Sequence, residues 1–152
     1  MRVQRWAVSV GFAAALLAGW PASAEEQLWR ADIRIQSLRV TRLDANLLAR
    51  VVVYSENDDE ARAARVEILV PVGVGIVRMA AGCTASSGPP GISILRARVS
   101  CELSTLPVRS TREVFVMTTI PPARIPTSFG AFVMSDTPDP NPGNNFAEGR
   151  LP

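Results

Sequence analysis

The sequence predicts an all-β fold, an immunoglobulin-like antiparallel β-sandwich of seven or eight strands. Three observations carry that expectation. Apolar residues alternate with polar ones at period two along much of the chain and never settle into a helical stripe. Turn-forming residues interrupt the alternation at short, regular spacing, as they do in sandwiches. Last, the run Asp136-Thr-Pro-Asp-Pro-Asn-Pro-Gly-Asn-Asn145 is nearly all turn chemistry.

The elements follow in order. Ile33 and Ile35, then Leu38 and Val40, alternate with charged or polar neighbours. Leu47 to Tyr54 is a valine-dense second strand, and Ser55 to Glu60 is a polar, acidic tip. Ala61, Ala63 and Ala64 allow one helical turn between Asp58 and Val66, too short to alter the class. Val66, Ile68 and Val70 mark a third strand that Pro71 ends, because proline cannot donate to a ladder. Val72 to Val77, broken by Gly73 and Gly75, reads as a bent or bulged strand. Ile92 to Leu103, Val114 to Ile120 and Phe129 to Met134 complete the set, and Pro121-Pro122 separates the last two. Alternation places Val51, Val53, Val66, Ile68, Val114, Val116 and Val133 on the inner faces.

The N-terminus points to export. Arg2 and Arg5 precede an apolar run from Val8 to Gly19, and Pro21-Ala-Ser-Ala24 supplies small residues at a cleavage site. Residues 1–24 are read as a signal peptide, 25–30 as an N-terminal extension and 31–152 as the sandwich. A membrane anchor is disfavoured, since a span needs roughly 20 apolar residues and this run is shorter. No membrane span is expected after cleavage, which leaves about 130 residues, the size of one domain. Arg2 and Arg5 leave with the signal, so the 16 basic residues of the chain fall to parity with its 14 acidic ones. The basic balance of the whole chain is therefore no argument for a nucleic-acid partner.

Cys83 and Cys101 are the two cysteines. In an exported chain an even count pairs. The bridge would close a loop of about 19 residues, worth roughly 3 kcal/mol by chain entropy. Its Cα atoms should lie ~4.4–6.8 Å apart. The enclosed segment Thr84 to Gly91 is rich in loop formers. A reactive cysteine would want a nearby base, and the chain has no histidine.

The same absence removes a Ser-His-Asp arrangement, a His-bearing zinc site and imidazole acid–base chemistry. Paired carboxylates remain available at Asp58, Asp59, Glu60 and at Asp136, Asp139, but charges at loop tips are ordinarily solvated. No catalytic residue, metal site or cofactor is expected. Gly73 and Gly75 lack the helix and lysine of a phosphate loop.

Within the proline-rich stretch, Asp136, Asp139, Asn141, Gly143, Asn144 and Asn145 are read as a structural loop. Pro138, Pro140 and Pro142 fix φ, Gly143 supplies a positive φ, and Asp and Asn side chains bond backbone two residues on. Calcium is the sharper alternative, because five oxygen-bearing side chains fall within ten residues. The three prolines, which fix the loop without an ion, and the missing EF-hand spacing favour the structural reading.

From Ala31 to Asn145 the chain resembles the bacterial and archaeal surface repeat called domain of unknown function 11, and is similar to the cell-adhesion-related domain found in bacteria. Three motifs carry the resemblance: Val66-Glu-Ile-Leu-Val-Pro-Val-Gly73; Gly82-Cys83 with Val99-Ser-Cys101-Glu-Leu103 and Leu106; and Asp139-Pro-Asn-Pro-Gly-Asn-Asn145. The turn after the second strand, Ser55-Glu-Asn-Asp-Asp-Glu60, departs from the family's Asn-x-Gly, and the strand after the paired asparagines is cut to Phe146–Arg150. The resemblance implies an immunoglobulin-like fold and an adhesive setting.

The expected function is non-enzymatic. The chain reads as an exported module, periplasmic or extracellular, with a binding or structural role toward an envelope or surface protein or glycan. The alternative is a periplasmic carbohydrate-active or hydrolytic accessory protein that uses carboxylates. A cleft lined by two facing carboxyl groups would mark the alternative.

Overall fold

The computed structural model describes residues 30–56, 59–86, 97–121 and 128–151. The expected signal peptide, nearly all of the N-terminal extension, Asp58 and the Ile92–Ile94 stretch lie outside the described residues. Among the described residues, nine strands form two antiparallel sheets: β1 (Ile33–Leu43), β2 (Asn46–Ser55), β3 (Ala61–Leu69), β4 (Ile76–Met79), β5 (Cys83–Ser86), β6 (Arg98–Leu106), β7 (Thr111–Thr119), β8 (Ser128–Met134) and β9 (Phe146–Arg150). The first sheet runs β1-β2-β7-β4 and the second β5-β6-β3-β8-β9. Strands β1-β2-β7 facing β3-β8-β9 reproduce the order of the immunoglobulin-like sandwich.

The period-two pattern explains most of this. Leu47, Ala49, Val51 and Val53 on β2 are fully buried, as are Val66 and Ile68 on β3 and Val116 on β7. Val114 and Val133 are 5% and 3% exposed, so each inward residue read from the alternation points inward. Phe129 is among the largest fully buried side chains. On β1 the register shifts between Ile35 and Ser37. This bulge turns the inward set from odd to even positions, so Ile33 and Ile35 are followed by a buried Val40 while Arg39 faces solvent.

Several elements differ from expectation. The strand count exceeds seven or eight because two short edge segments pair. Cys83–Ser86, read mostly as loop, forms β5 against β6, since the half-cystine fixes it in the ladder. Phe146–Arg150, though short, completes a ladder with β8. Ala61–Ala64 makes no helical turn; it is the start of β3, where the register shifts twice and Ala63 takes φ 47°. The glycine-broken run after Pro71 turns at Val72-Gly73, with Gly73 at φ 78°, before β4 begins.

The two sheets meet at a seam between β1 and β9. Gly149 on β9 is buried, and a Cβ there would lie 2.8 Å from Leu38 Cγ and 3.1 Å from the Leu38 carbonyl oxygen. Only a residue without a side chain lets the strands approach this closely. On the solvent face, Phe132 and Phe146 pack with ring centroids 4.6 Å apart, and Phe146 covers Gly130.

Val116 stands on the inner face of β7, opposite Ala49 of β2. Val116→Ala should lower stability by about 1–3 kcal/mol, from lost burial and a partial cavity. Thermal melting checks this, and an unchanged midpoint would mean that the core does not rest on this residue.

Candidate functional site

The loop between β8 and β9 is the richest polar cluster among the described residues, and it is built around one carboxylate. Asp139 Oδ1 accepts the Asn141 backbone N–H at 2.7 Å, a bond two residues on of the kind turn-forming aspartates make. Its Oδ2 accepts the Ile33 N–H at 3.2 Å and the Asn145 Nδ2 at 3.0 Å. Asn144 Nδ2 donates to Asp32 Oδ1 at 2.9 Å. The Ala31 N–H donates to the Pro138 carbonyl at 3.1 Å. The loop thus grips the start of β1 through three successive residues.

Its other end grips β3. Thr137, 6% exposed, accepts the Arg62 N–H at 3.0 Å through Oγ1 and donates the same hydroxyl to the Glu60 carbonyl at 3.2 Å. Asp136 contributes its N–H to the Arg62 carbonyl at 2.9 Å, while its side chain is exposed. Asn141 is exposed and accepts the Asn144 N–H at its carbonyl, 3.2 Å.

Two expectations about this loop need correction. Gly143 does not supply a positive φ. It lies in a short 3₁₀ turn, Pro142–Asn144, which Pro142 starts by fixing φ and which the Asn145 N–H closes onto the Pro142 carbonyl at 3.4 Å. The side chains of Asn144 and Asn145 do not cap backbone amides either. Their NH₂ groups face carboxylates, and Asp139 takes the backbone amides because a charged acceptor makes the stronger bonds.

That orientation bears on calcium. The amide hydrogens of Asn144 and Asn145 point at Asp32 and Asp139, where a cation would need oxygen lone pairs. Their Oδ1 atoms are buried and accept no hydrogen bond. Among the described residues no three Asp, Glu or Cys side chains come together as a metal cluster.

Cys83 and Cys101 are bonded. Their Cα atoms are 4.0 Å apart, closer than the ~4.4–6.8 Å expected of disulfides in general. The reason is their position: they are directly opposed partners on β5 and β6, where antiparallel geometry already brings backbones near.

A second feature was not read from the sequence. On the solvent face of the first sheet lie two adjoining depressions of ≈ 300 and ≈ 260 Å³. One is lined by Ser37, Arg39, Arg50, Val52 and Glu113, the other by Arg39, Thr41, Leu48 and Arg50. Glu113 is the one carboxylate lining them among the described residues, and it is paired with Arg50 at 3.3 Å. Neither depression therefore holds a facing carboxyl pair. The usable signal was the tight β1–β2 connection at Asp44-Ala45, which sets Arg39 opposite Arg50.

No family model and no curated protein matches the chain. Among solved structures, an inactive mutant of the GH20 exo-β-N-acetylglucosaminidase of Vibrio harveyi is similar at TM-score 0.41 and 9% identity, over 82% of this chain and 18% of that one. The same enzyme in complex with N-acetylglucosamine gives TM-score 0.37 with the same identity and coverage. The chain spans under a fifth of that enzyme's length. AvmM, which catalyses macrocyclization in alchivemycin A biosynthesis, gives TM-score 0.34 and 14% identity, over 80% of this chain and 87% of that one. Likenesses this distant give no functional reading.

Three outcomes are expected. Thiol labelling of the denatured, unreduced protein finds no reactive cysteine, and two thiols per chain would contradict the bridge. Asp139→Ala costs about 2–4 kcal/mol, since it removes three bonds to a charged acceptor, whereas Asp136→Ala stays within about 0.5 kcal/mol. Melting in chelator and in millimolar calcium should give one midpoint; a bound ion would add about 2.7 kcal/mol at a hundredfold excess over Kd.

Proposed function

We propose that the chain is an exported, non-enzymatic immunoglobulin-like module that binds or supports a component of the cell envelope or surface. The observation that carries this reading is the engagement of the Asp139 loop. The Asp139 carboxylate and the Thr137 hydroxyl are committed to holding β1 and β3, so they are not free to act on a substrate. What the fold offers outward is two sheet faces. The disulfide agrees with an oxidising compartment. Among the described residues no helix is long and apolar enough to cross a membrane. The resemblance of the Asp139–Asn145 ending to the surface repeat family supports an envelope setting.

Cell fractionation with N-terminal sequencing tests the reading. The protein should appear in the periplasm or medium and begin at Glu25. A cytoplasmic protein with an intact Met1 would overturn export, and release of new reducing ends from envelope polysaccharide by the purified chain would overturn the non-enzymatic reading.

A further inference from the structure

The two sheet faces differ in charge. On the second, Arg65, Arg98 and Arg150 are set among Glu67, Glu102 and Glu148, with ion pairs Arg98–Glu67 at 3.0 Å and Arg150–Glu148 at 3.4 Å. The outward strand positions of the first face instead carry Arg34, Arg39, Arg50 and Arg78 with one carboxylate, Glu113. Arg34 pairs with Glu56 beyond the strand at 2.9 Å and lies 5.1 Å from the Tyr54 ring centroid. Arg50 pairs with Glu113. Arg39 is exposed and has no ion-pair partner among the described residues.

The register makes this placement costly. Arg39 is the direct cross-strand partner of Arg50, and like charges directly opposite destabilise a sheet. Glu113 offsets this at Arg50 alone, which leaves Arg39 as a guanidinium without an ion pair among the described residues and open to an anionic ligand. Both arginines line both depressions, so the two share one surface around Arg39 and Arg50.

From this juxtaposition we propose that the groove around Arg39 and Arg50 binds a carboxylate-bearing glycan, of the uronate class. The proposal rests on the binding-module reading above and names its ligand chemistry. The guanidinium fork matches a carboxylate in two parallel bonds. Ser37 and Thr41 bring hydroxyls to the groove, while Val52 and Leu48 offer half-buried apolar surface for the carbon face of a sugar ring. The volumes stand at or below the low end of small-ligand sites, about 300–1,000 Å³, which suits one or two sugar units. An acidic peptide is a poorer occupant. The groove crosses paired strands, with β2 bonded to β1 on one side and β7 on the other, so no free edge within it can take an added strand.

Calorimetric titration of the purified chain with an oligouronate, the matching neutral oligosaccharide and poly-glutamate tests the proposal. The oligouronate should bind, weaken as salt rises, and lose about tenfold or more in affinity in Arg39→Gln, which removes one fork. The neutral sugar should not bind, and equal binding of it would overturn the role of the carboxylate. The midpoint of Arg39→Gln should stay level or rise, because the opposed charge is gone; a fall would overturn the costly-placement argument. Equal or tighter binding of poly-glutamate would reassign the groove to an acidic protein and overturn the glycan. Binding that survives in the Arg39→Gln/Arg50→Gln double variant would overturn the site. Absence of oligouronate binding by the unaltered chain would overturn this inference while leaving export and the absence of cleavage to stand on their own tests.

Discussion

The sandwich depends on the carboxylate of Asp139. Strand β1 lies at the edge of the first sheet, and its opening residues have pairing from β2 on one side alone. Asp139 reaches it across 106 positions of sequence and holds the Ile33 N–H, while its other bonds fix the loop that carries it. A neutral acceptor would make weaker bonds at the same distances. Because Thr137 in the same loop holds the start of β3, one connection sets the entry of strands in both sheets.

The division between inner and outer surfaces was readable because strands alternate. Val51, Val53, Val66, Ile68, Val114, Val116 and Val133 each mark an inner face, whereas the β1 bulge between Ile35 and Ser37 was not read from the alternation. Edge strands were harder. β5 is Cys-Thr-Ala-Ser, short and polar, and nothing in such a segment separates an edge strand from a loop except the cysteine that ties it.

The polar contacts of the long loop were half legible. Its turn-forming character is local, and the Asp139–Asn141 bond follows from residues two apart. Asp32 and the Glu60–Arg62 backbone are partners brought by topology, so no local pattern names them. The Arg39–Arg50 pair shows the same limit in another form. Each arginine alone is an ordinary outward residue, and only the pairing of two strands turns them into a shared charge. The arginine groove and the polar loop therefore sit at opposite extremes. One turns its polarity to solvent, and the other satisfies it within the fold.

The seam at Gly149 has a consequence for the order of events during synthesis. The residue that lets β9 close against Leu38 belongs to the ninth strand, while its partner belongs to the first. Contacts of such long sequence separation form late and slow the approach to the native state. A nascent chain emerges with β1 long before β9 has been made, so the flank of β1 around Leu38 waits uncovered while the seven strands between them appear. Closure of the sandwich is thereby held back until nearly all of its strands have left the ribosome.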